Sequence, residues 1–181
     1  MKGDLVLLTR AVDYAARKHI AQRRKGETAE PYINHLTEVA ALLAEATGGE
    51  DVVLLAGGLL HDTLEDTDTT YEDLVQRFGP EVAQLVAEVT DDKSLRKEER
   101  KRLQIEKTLG KSRRAKLLKL ADKTSNLRSL LESPPKGWTE ERMRDYVQWA
   151  DAVVRSCRGL NAKLEAGFDA AYQQAKARFG A

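Results

Sequence analysis

Leu59-Leu60-His61-Asp62-Thr63-Leu64-Glu65-Asp66-Thr67-Asp68 packs a histidine and four acids into eight positions, at the end of the apolar run Val52-Val53-Leu54-Leu55-Ala56. Carboxylates so close to an apolar run need a cation, a hydrogen-bond donor or a proton, because burying a bare charge is too costly. His61 and Asp62 are adjacent, ~100° apart around a helix, so both can reach one ion near its C-terminal end. In an uninterrupted helix Glu65 stacks over His61, and Asp66 over Asp62. That register predicts a metal held by the first pair, with the second pair handling the proton of a bound water.

A histidine beside an aspartate is a weak signal by itself, and acids near a loop are commonly a solvated cap. Two ligands are also too few for a metal site, and the chain has only 3 histidines to draw on. His35, early on its helix in Pro31-Tyr32-Ile33-Asn34-His35, is the candidate third ligand. His19 has no acid nearby in sequence and is expected to be structural. Asp122 sits mid-helix in Leu118-Lys119-Leu120-Ala121-Asp122-Lys123-Thr124-Ser125-Asn126-Leu127, an apolar neighbourhood that penalises an unpaired acid. A salt bridge to a lysine or arginine is its competing role. Asn126 falls one turn later on the same face, where it can bind a ligand or orient one. His35, His61, Asp62 and Asp122 together offer two imidazoles and two carboxylates. This donor set suits Mn²⁺, with Fe²⁺, Co²⁺, Ni²⁺ or Zn²⁺ as alternatives. Coordination positions left open for water or substrate are those of a catalytic centre.

The elements that must position these residues read as helices throughout. Asp4 is placed to cap a first helix that fades at Gln22, and a basic loop over 23–30 follows. Pro31 suits an early position of the second helix, which ends at Gly48-Gly49. Glu50 starts the apolar helix that delivers His61 and Asp62. Thr70 and Asp73 form a capping box for a short helix stopping at Gly79, and Pro80 opens the next, through Thr90. The charged stretch from Leu95 to Leu109 is expected to be a solvated helix or a partly mobile flap. Ser112 caps a long helix through Leu131, and Ser133-Pro134-Pro135-Lys136-Gly137 breaks it. Thr139 begins another helix to about Gly159, and a last one covers Asn161 to Arg178. No alternating strand pattern stands out, so the expected architecture is all-α, one helical bundle over residues 1–181.

Composition narrows the partners. Hydrophobic residues are 41% of a chain of 181 residues, ordinary for a globular domain. A net charge of +1 gives no global reason to expect nucleic acid or a membrane surface. The dense basic segment from Arg96 to Arg102 is a local feature only. Cys157 is the single cysteine, which excludes an intrachain disulfide and a thiolate zinc cluster and fits a reducing compartment. No signal-peptide core or membrane-spanning run is evident, so the chain is expected to be cytoplasmic. No oligomeric state is assigned.

The order His…His-Asp…Asp resembles the HD superfamily of metal-dependent phosphohydrolases, and in detail its alarmone-hydrolase branch, the hydrolase domain of RelA/SpoT proteins. The likeness is carried by Arg24-Lys25 before Pro31-Tyr32-Ile33-Asn34-His35, by His61-Asp62-Thr63-Leu64-Glu65-Asp66-Thr67, and by Val89-Thr90-Asp91-Asp92-Lys93. Lys119-Leu120-Ala121-Asp122-Lys123…Asn126-Leu127 and Gly137-Trp138…Tyr146 complete it. It runs from about Ala11 to Leu160 and is most similar to the stand-alone form, the metazoan SpoT homologue and bacterial small alarmone hydrolases. The synthetase and regulatory regions of long RelA/SpoT proteins have no counterpart. Two positions depart from the family: Leu36 follows His35 where proline is usual, and Thr124-Ser125 stands where bulkier or aromatic residues are frequent.

The resemblance implies Mn²⁺-dependent hydrolysis of ppGpp and pppGpp to GDP or GTP and pyrophosphate, the reaction that lowers alarmone levels in the stringent response. The metal would lower the pKa of a water that attacks the phosphorus on the ribose 3′ oxygen. Glu65 and Asp66 are the candidates for orienting that water and protonating the leaving oxygen, titrating as a coupled pair. Arg24 and Lys25 match the family's substrate loop, and Lys97 and Arg142 are further cations for the phosphates. Asn126 and Tyr146 are placed for sugar or base, and Trp138 for core or lid. Three other readings compete: an NADPH 2′-phosphatase on the same site, a non-catalytic alarmone sensor, and a structural bundle with accidental acids. A sensor predicts erosion of the ligands or of Glu65 and Asp66, and all are present.

Overall fold

The computed structural model describes residues 2–180, with side chains described for residues 3–180. The helices are α1 (Lys2–Lys18), α2 (Ile33–Thr47), α3 (Val52–Leu60), α4 (Thr63–Asp66), α5 (Tyr71–Phe78), α6 (Pro80–Val89), α7 (Lys97–Thr108), α8 (Arg113–Glu132), α9 (Glu140–Val154) and α10 (Ala162–Phe179), with a 3₁₀ turn at Arg155–Cys157. No strand occurs among the described residues, only two isolated bridges, Arg23 with Pro31 and Gly26 with Pro135. The all-α expectation holds. None of the described helices is long and apolar enough to cross a membrane.

Local chemistry starts five of these helices. Thr70 and Asp73 cap α5 reciprocally, as their spacing predicts. Ser112 accepts from the Ala115 amide at 3.2 Å, Thr139 from Arg142 at 3.2 Å and Asn161 from Leu164 at 3.0 Å. Each such cap contributes about 1 kcal/mol. Asp51, one residue after the expected Glu50, caps α3 by accepting from Leu54 at 3.1 Å.

Other boundaries differ from expectation for identifiable reasons. Asp4 lies inside the first turn of α1 rather than at its cap. α1 stops at Lys18 because the chain tightens there, with the Gln22 amide donating to the His19 carbonyl at 2.9 Å. Pro31 precedes α2 instead of opening it: its carbonyl accepts from Asn34, and Tyr32 donates to the Gln22 carbonyl at 3.1 Å. Most of the 95–109 segment forms α7, a largely exposed helix as one of the two expectations had it, but one that is tied to its neighbours. Trp149 Nε1 donates to the Lys101 carbonyl at 3.0 Å, and Gln104 is bonded to Asp91.

Two apolar clusters build the interior. The larger joins α2, α3, α6, α8, α9 and α10 around Leu43, Leu117, Leu118, Leu127, Val147 and Phe168; the smaller joins α1, α2, α3, α5 and α6 around Leu36, Leu60, Leu74 and Val86. Each large side chain buried in this way contributes roughly 1.5–3 kcal/mol. α3 runs between its neighbours on Gly57 and Gly58. A Cβ at Gly57 would stand 2.5 Å from Leu85 Cδ2, and one at Gly58 would stand 2.9 Å from Leu43 Cδ1. The bare helix therefore approaches both α2 and α6 closely. That approach carries His61 to the side of His35.

Candidate active site and metal centre

α3 ends on His61, and α4 begins after Asp62. Both residues keep right-handed helical angles, but the Asp62 backbone, at φ −98° and ψ −1°, loosens the turn. Thr63 Oγ1 takes the Leu60 carbonyl at 2.7 Å. α3 and α4 are thus separate helices, interrupted at His61-Asp62, yet the Asp66 amide still donates to the Asp62 carbonyl at 2.8 Å, so Asp66 follows Asp62 by one helical turn.

His35 comes from α2, His61 and Asp62 from the α3–α4 junction, and Asp122 from the middle of α8. His61 Nε2 lies 3.2 Å from Asp62 Oδ2 and 3.8 Å from Asp122 Oδ1. His35 Nε2 lies 3.4 Å from Asp122 Oδ1 and 3.8 Å from Asp62 Oδ2. Donor atoms of His35, His61 and Asp62 all fall within 4.8 Å of one another. Both imidazoles are almost fully buried.

The hydrogen bonds behind the cluster aim its donors inward. His61 Nδ1 is bonded to the Gly58 carbonyl at 2.8 Å, an acceptor only, so in the neutral, metal-binding form of the ring the other nitrogen bears the lone pair. That atom, Nε2, is buried without a hydrogen-bond partner. An orphaned nitrogen facing two carboxylates is what a divalent cation would satisfy, and the donor set fits one. Tyr32 donates to Asp62 Oδ2 at 2.6 Å, and Asn126 to Asp122 Oδ1 at 2.6 Å. Asp122 Oδ2 accepts from Lys123 at 2.8 Å, so the lysine bridge and the inward-facing oxygen coexist on one carboxylate.

The electrostatics agree. Burial works against a charged His61, yet Asp62 and Asp122 outweigh it and push the imidazole up to about 9. The same pull acts on a metal cation. Burial lowers His35, while His61 and His35 hold Asp62 below the usual carboxylate range against its own burial. Lys123 and both imidazoles do the same for Asp122.

Glu65 and Asp66 leave α4 in different directions. Glu65 Oε2 accepts from the Asp91 amide at 3.2 Å, and Oε1 lies 3.6 Å from Arg100 on α7. Burial raises its carboxyl, opposed by the Asp91 amide and reinforced by the charges of Asp62, Asp91 and Asp66. Asp66 is bonded to Lys93 through Oδ1 and accepts from Gln22 Nε2 at 2.9 Å through Oδ2. Gln22 is bonded in turn to His19 Nδ1 at 2.5 Å, and His19 stacks on Tyr32. His19, read as structural, therefore braces a carboxylate of the site. The run Val89-Thr90-Asp91-Asp92-Lys93 touches both acids, and Lys119 ties its start to α8 by donating to the Val89 carbonyl at 2.9 Å.

Beside the cluster opens a cleft of about 230 Å³ lined by Gln22, Arg24, Lys25, Tyr32, Asp66, Asn126, Trp138 and Tyr146, among others. Arg24 donates to Asn126 Oδ1 at 3.0 Å. Lys97 and Arg142 do not line the cleft, but with Lys25 they form one cationic group. After burial, the charges of Arg142 and Lys25 push the Lys97 ammonium down. Arg142 also lies over the Trp138 ring at 4.4 Å. All twelve residues expected for metal, catalysis or substrate thus gather around one region. Tyr32, Lys123, Ser125 and Glu38 were not assigned from sequence, although Glu38 is i+3 from His35 and Ser125 is i+3 from Asp122.

The loop bearing Arg24 and Lys25 folds onto the α8–α9 connection through Gly26. A Cβ there would meet Ser133 Cβ at 2.8 Å and collide with its two oxygens, while the Thr28 amide needs Ser133 Oγ at 3.0 Å. Gly26→Ala is expected to destabilise the protein by about 1–3 kcal/mol, a typical overpacking cost. It should also raise KM more than it lowers kcat, because the loop's cations shift while the cluster stays. Thermal unfolding and steady-state kinetics check this; unchanged values for both would refute the assignment of the loop.

Residues 11–148 match the HD domain family. A protein of Xenopus tropicalis called guanosine-3′,5′-bis(diphosphate) 3′-pyrophosphohydrolase MESH1 is 49% identical over 93% of this chain and 94% of its own. The human protein of the same name is 48% identical over 96% and 97%. A solved structure, described as a metazoan ortholog of SpoT that hydrolyses ppGpp and plays a role in starvation responses, superimposes with a TM-score of 0.89 at 49% identity, covering 93% and 94% of the two chains.

Proposed function

This chain belongs to the HD domain family, in its alarmone-hydrolase branch, and on that footing we propose how it works. It is a guanosine-3′,5′-bis(diphosphate) 3′-pyrophosphohydrolase, converting ppGpp or pppGpp and water to GDP or GTP and pyrophosphate. The observation that carries this is the juxtaposition of two imidazoles and two carboxylates with a cation-rimmed cleft that Asp66 also lines.

His35, His61, Asp62 and Asp122 would hold a divalent metal, for which Mn²⁺ is the proposed identity given the mixed donor set. When bound, such an ion activates water and polarises a phosphoryl oxygen. Arg24 and Lys25 meet the phosphates, with Lys97 and Arg142 adding charge from the rim. Arg24 is oriented by Asn126, itself fixed by Asp122, so the substrate cation and the metal carboxylate share one hydrogen-bond chain. Tyr146 and Trp138, 5.7 Å apart between ring centroids, supply an apolar wall for base or sugar. Glu65, with its raised carboxyl, and Asp66, held by Lys93 and Gln22, move the protons between attacking water and leaving 3′ oxygen.

The test is phosphate and pyrophosphate release from ppGpp, pppGpp and NADPH in parallel, with Mn²⁺ and with chelator. Pyrophosphate from ppGpp that disappears with chelator is the expected result. Phosphate from NADPH alone would replace the substrate and keep the site. Tight ppGpp binding without turnover would make the protein a sensor.

A further inference from the structure

The two imidazoles are fixed from behind by different means. His61 Nδ1 is bonded to a main-chain carbonyl, that of Gly58. His35 Nδ1 instead meets a side chain, Ser125 Oγ at 2.8 Å, and Ser125 Oγ lies 2.6 Å from Glu38 Oε2. Arg128 completes the series, 3.1 Å from Glu38 Oε1. The direction of the protons follows from valence. A carboxylate oxygen only accepts, so the Ser125 hydroxyl proton points to Glu38. The hydroxyl then has only lone pairs to offer His35, and Nδ1 must carry the ring proton. Nε2 is left with its lone pair on the side facing Asp122.

We propose that Glu38, acting through Ser125, is a positioning residue for His35: it selects the ring tautomer, fixes the ring plane and strengthens Nε2 as a donor to the divalent cation. Helix geometry supports this, since Glu38 lies three residues after His35 on α2 and Ser125 three residues after Asp122 on α8. Packing of α2 on α8 therefore closes the relay at the same place where it brings the two ligands together. Ser125 is only 1% exposed, so the bonds on either side of its hydroxyl are shielded from water at that end. Glu38 and Arg128 lie toward the surface, where the carboxylate keeps its charge without a full burial cost.

The inference rests on His35 as a metal ligand, and its test separates the two. Metal-stripped protein is titrated calorimetrically with Mn²⁺ as wild type, Glu38→Ala, Ser125→Ala, the double variant and Ser125→Thr. Metal affinity should weaken about 10–100-fold in either alanine variant, the usual effect of losing a partner behind a ligating histidine. The double variant should be no worse than Ser125→Ala, and Ser125→Thr, which keeps the hydroxyl, should recover most of the loss. Nitrogen-15 spectra of the metal-free protein should show His35 protonated at Nδ1 in wild type and a tautomer mixture in both alanine variants. Unchanged affinity and unchanged spectra in the alanine variants would overturn the relay. Loss in Ser125→Ala but not in Glu38→Ala would overturn the role of Glu38. A wild type that takes up no Mn²⁺ would overturn the ligand reading, and the relay with it.

Discussion

Asp62→Ala is expected to lower pyrophosphate release from ppGpp by at least about 10³-fold, because a lost metal centre removes several kcal/mol of transition-state stabilisation. Asp62 is the one carboxylate that approaches His61 Nε2 to 3.2 Å while also holding the Tyr32 hydroxyl at 2.6 Å. Its removal takes away the larger of the two charges holding the His61 imidazole up near 9, so both a donor and the pull on a cation vanish together. The alanine also leaves the Tyr32 hydroxyl without its acceptor, which costs about 1–3 kcal/mol of stability.

Asp62→Asn separates the two effects. It keeps an acceptor for Tyr32 and so keeps the fold, yet it is expected to be as inactive as alanine. Unfolding temperatures with and without Mn²⁺ make the distinction. Saturating metal stabilises a protein that binds it only when folded by about 2.7 kcal/mol at a hundred times Kd. Wild type should show a rise of that order and the asparagine variant little or none. Metal-dependent turnover retained by the asparagine variant would remove Asp62 from the centre.

What could be read in the chain was local, and what could not be read was made by distant segments. The capping box at Thr70 and Asp73 and the cap at Ser112 involve residues three apart, and both stand as expected. Asp122 was legible because an acid amid leucines demands a partner; it has Lys123, and it faces both imidazoles. The loop before α2 was legible as a loop, but its docking was not, because it depends on Ser133 and Pro135, more than a hundred residues away. The docking of α7 was equally invisible: its composition is that of a solvated helix, and Trp149 and Glu65 anchor it from elsewhere. Glu65 and Asp66 are held apart by partners distant in sequence, Asp91 and Arg100 for the first and Lys93 and Gln22 for the second. The His19–Gln22–Asp66 series escaped notice because its acid lies 44 residues from the glutamine.

That divergence of Glu65 and Asp66 is the basis of the second large effect. Glu65→Gln is expected to lower kcat by about 10²–10⁴-fold, the range for a positioned acid or base, with KM little changed. Glutamine preserves the shape of the side chain and its acceptor for the Asp91 amide, so loss of activity reports on the proton rather than on packing. The pH profile identifies the role. Burial, with Asp62, Asp91 and Asp66 behind it, raises the Glu65 carboxyl, so its limb in kcat/KM should stand above the ordinary carboxylate range. If Glu65 takes a proton from the attacking water, activity falls as pH drops through that raised value. If it gives one to the leaving 3′ oxygen, activity falls as pH rises through it. Either limb should vanish in the glutamine variant, while the limb on the other side persists. A glutamine variant within tenfold of wild type in kcat, with both limbs intact, would show that Glu65 only holds the Asp91 amide and Arg100 in place.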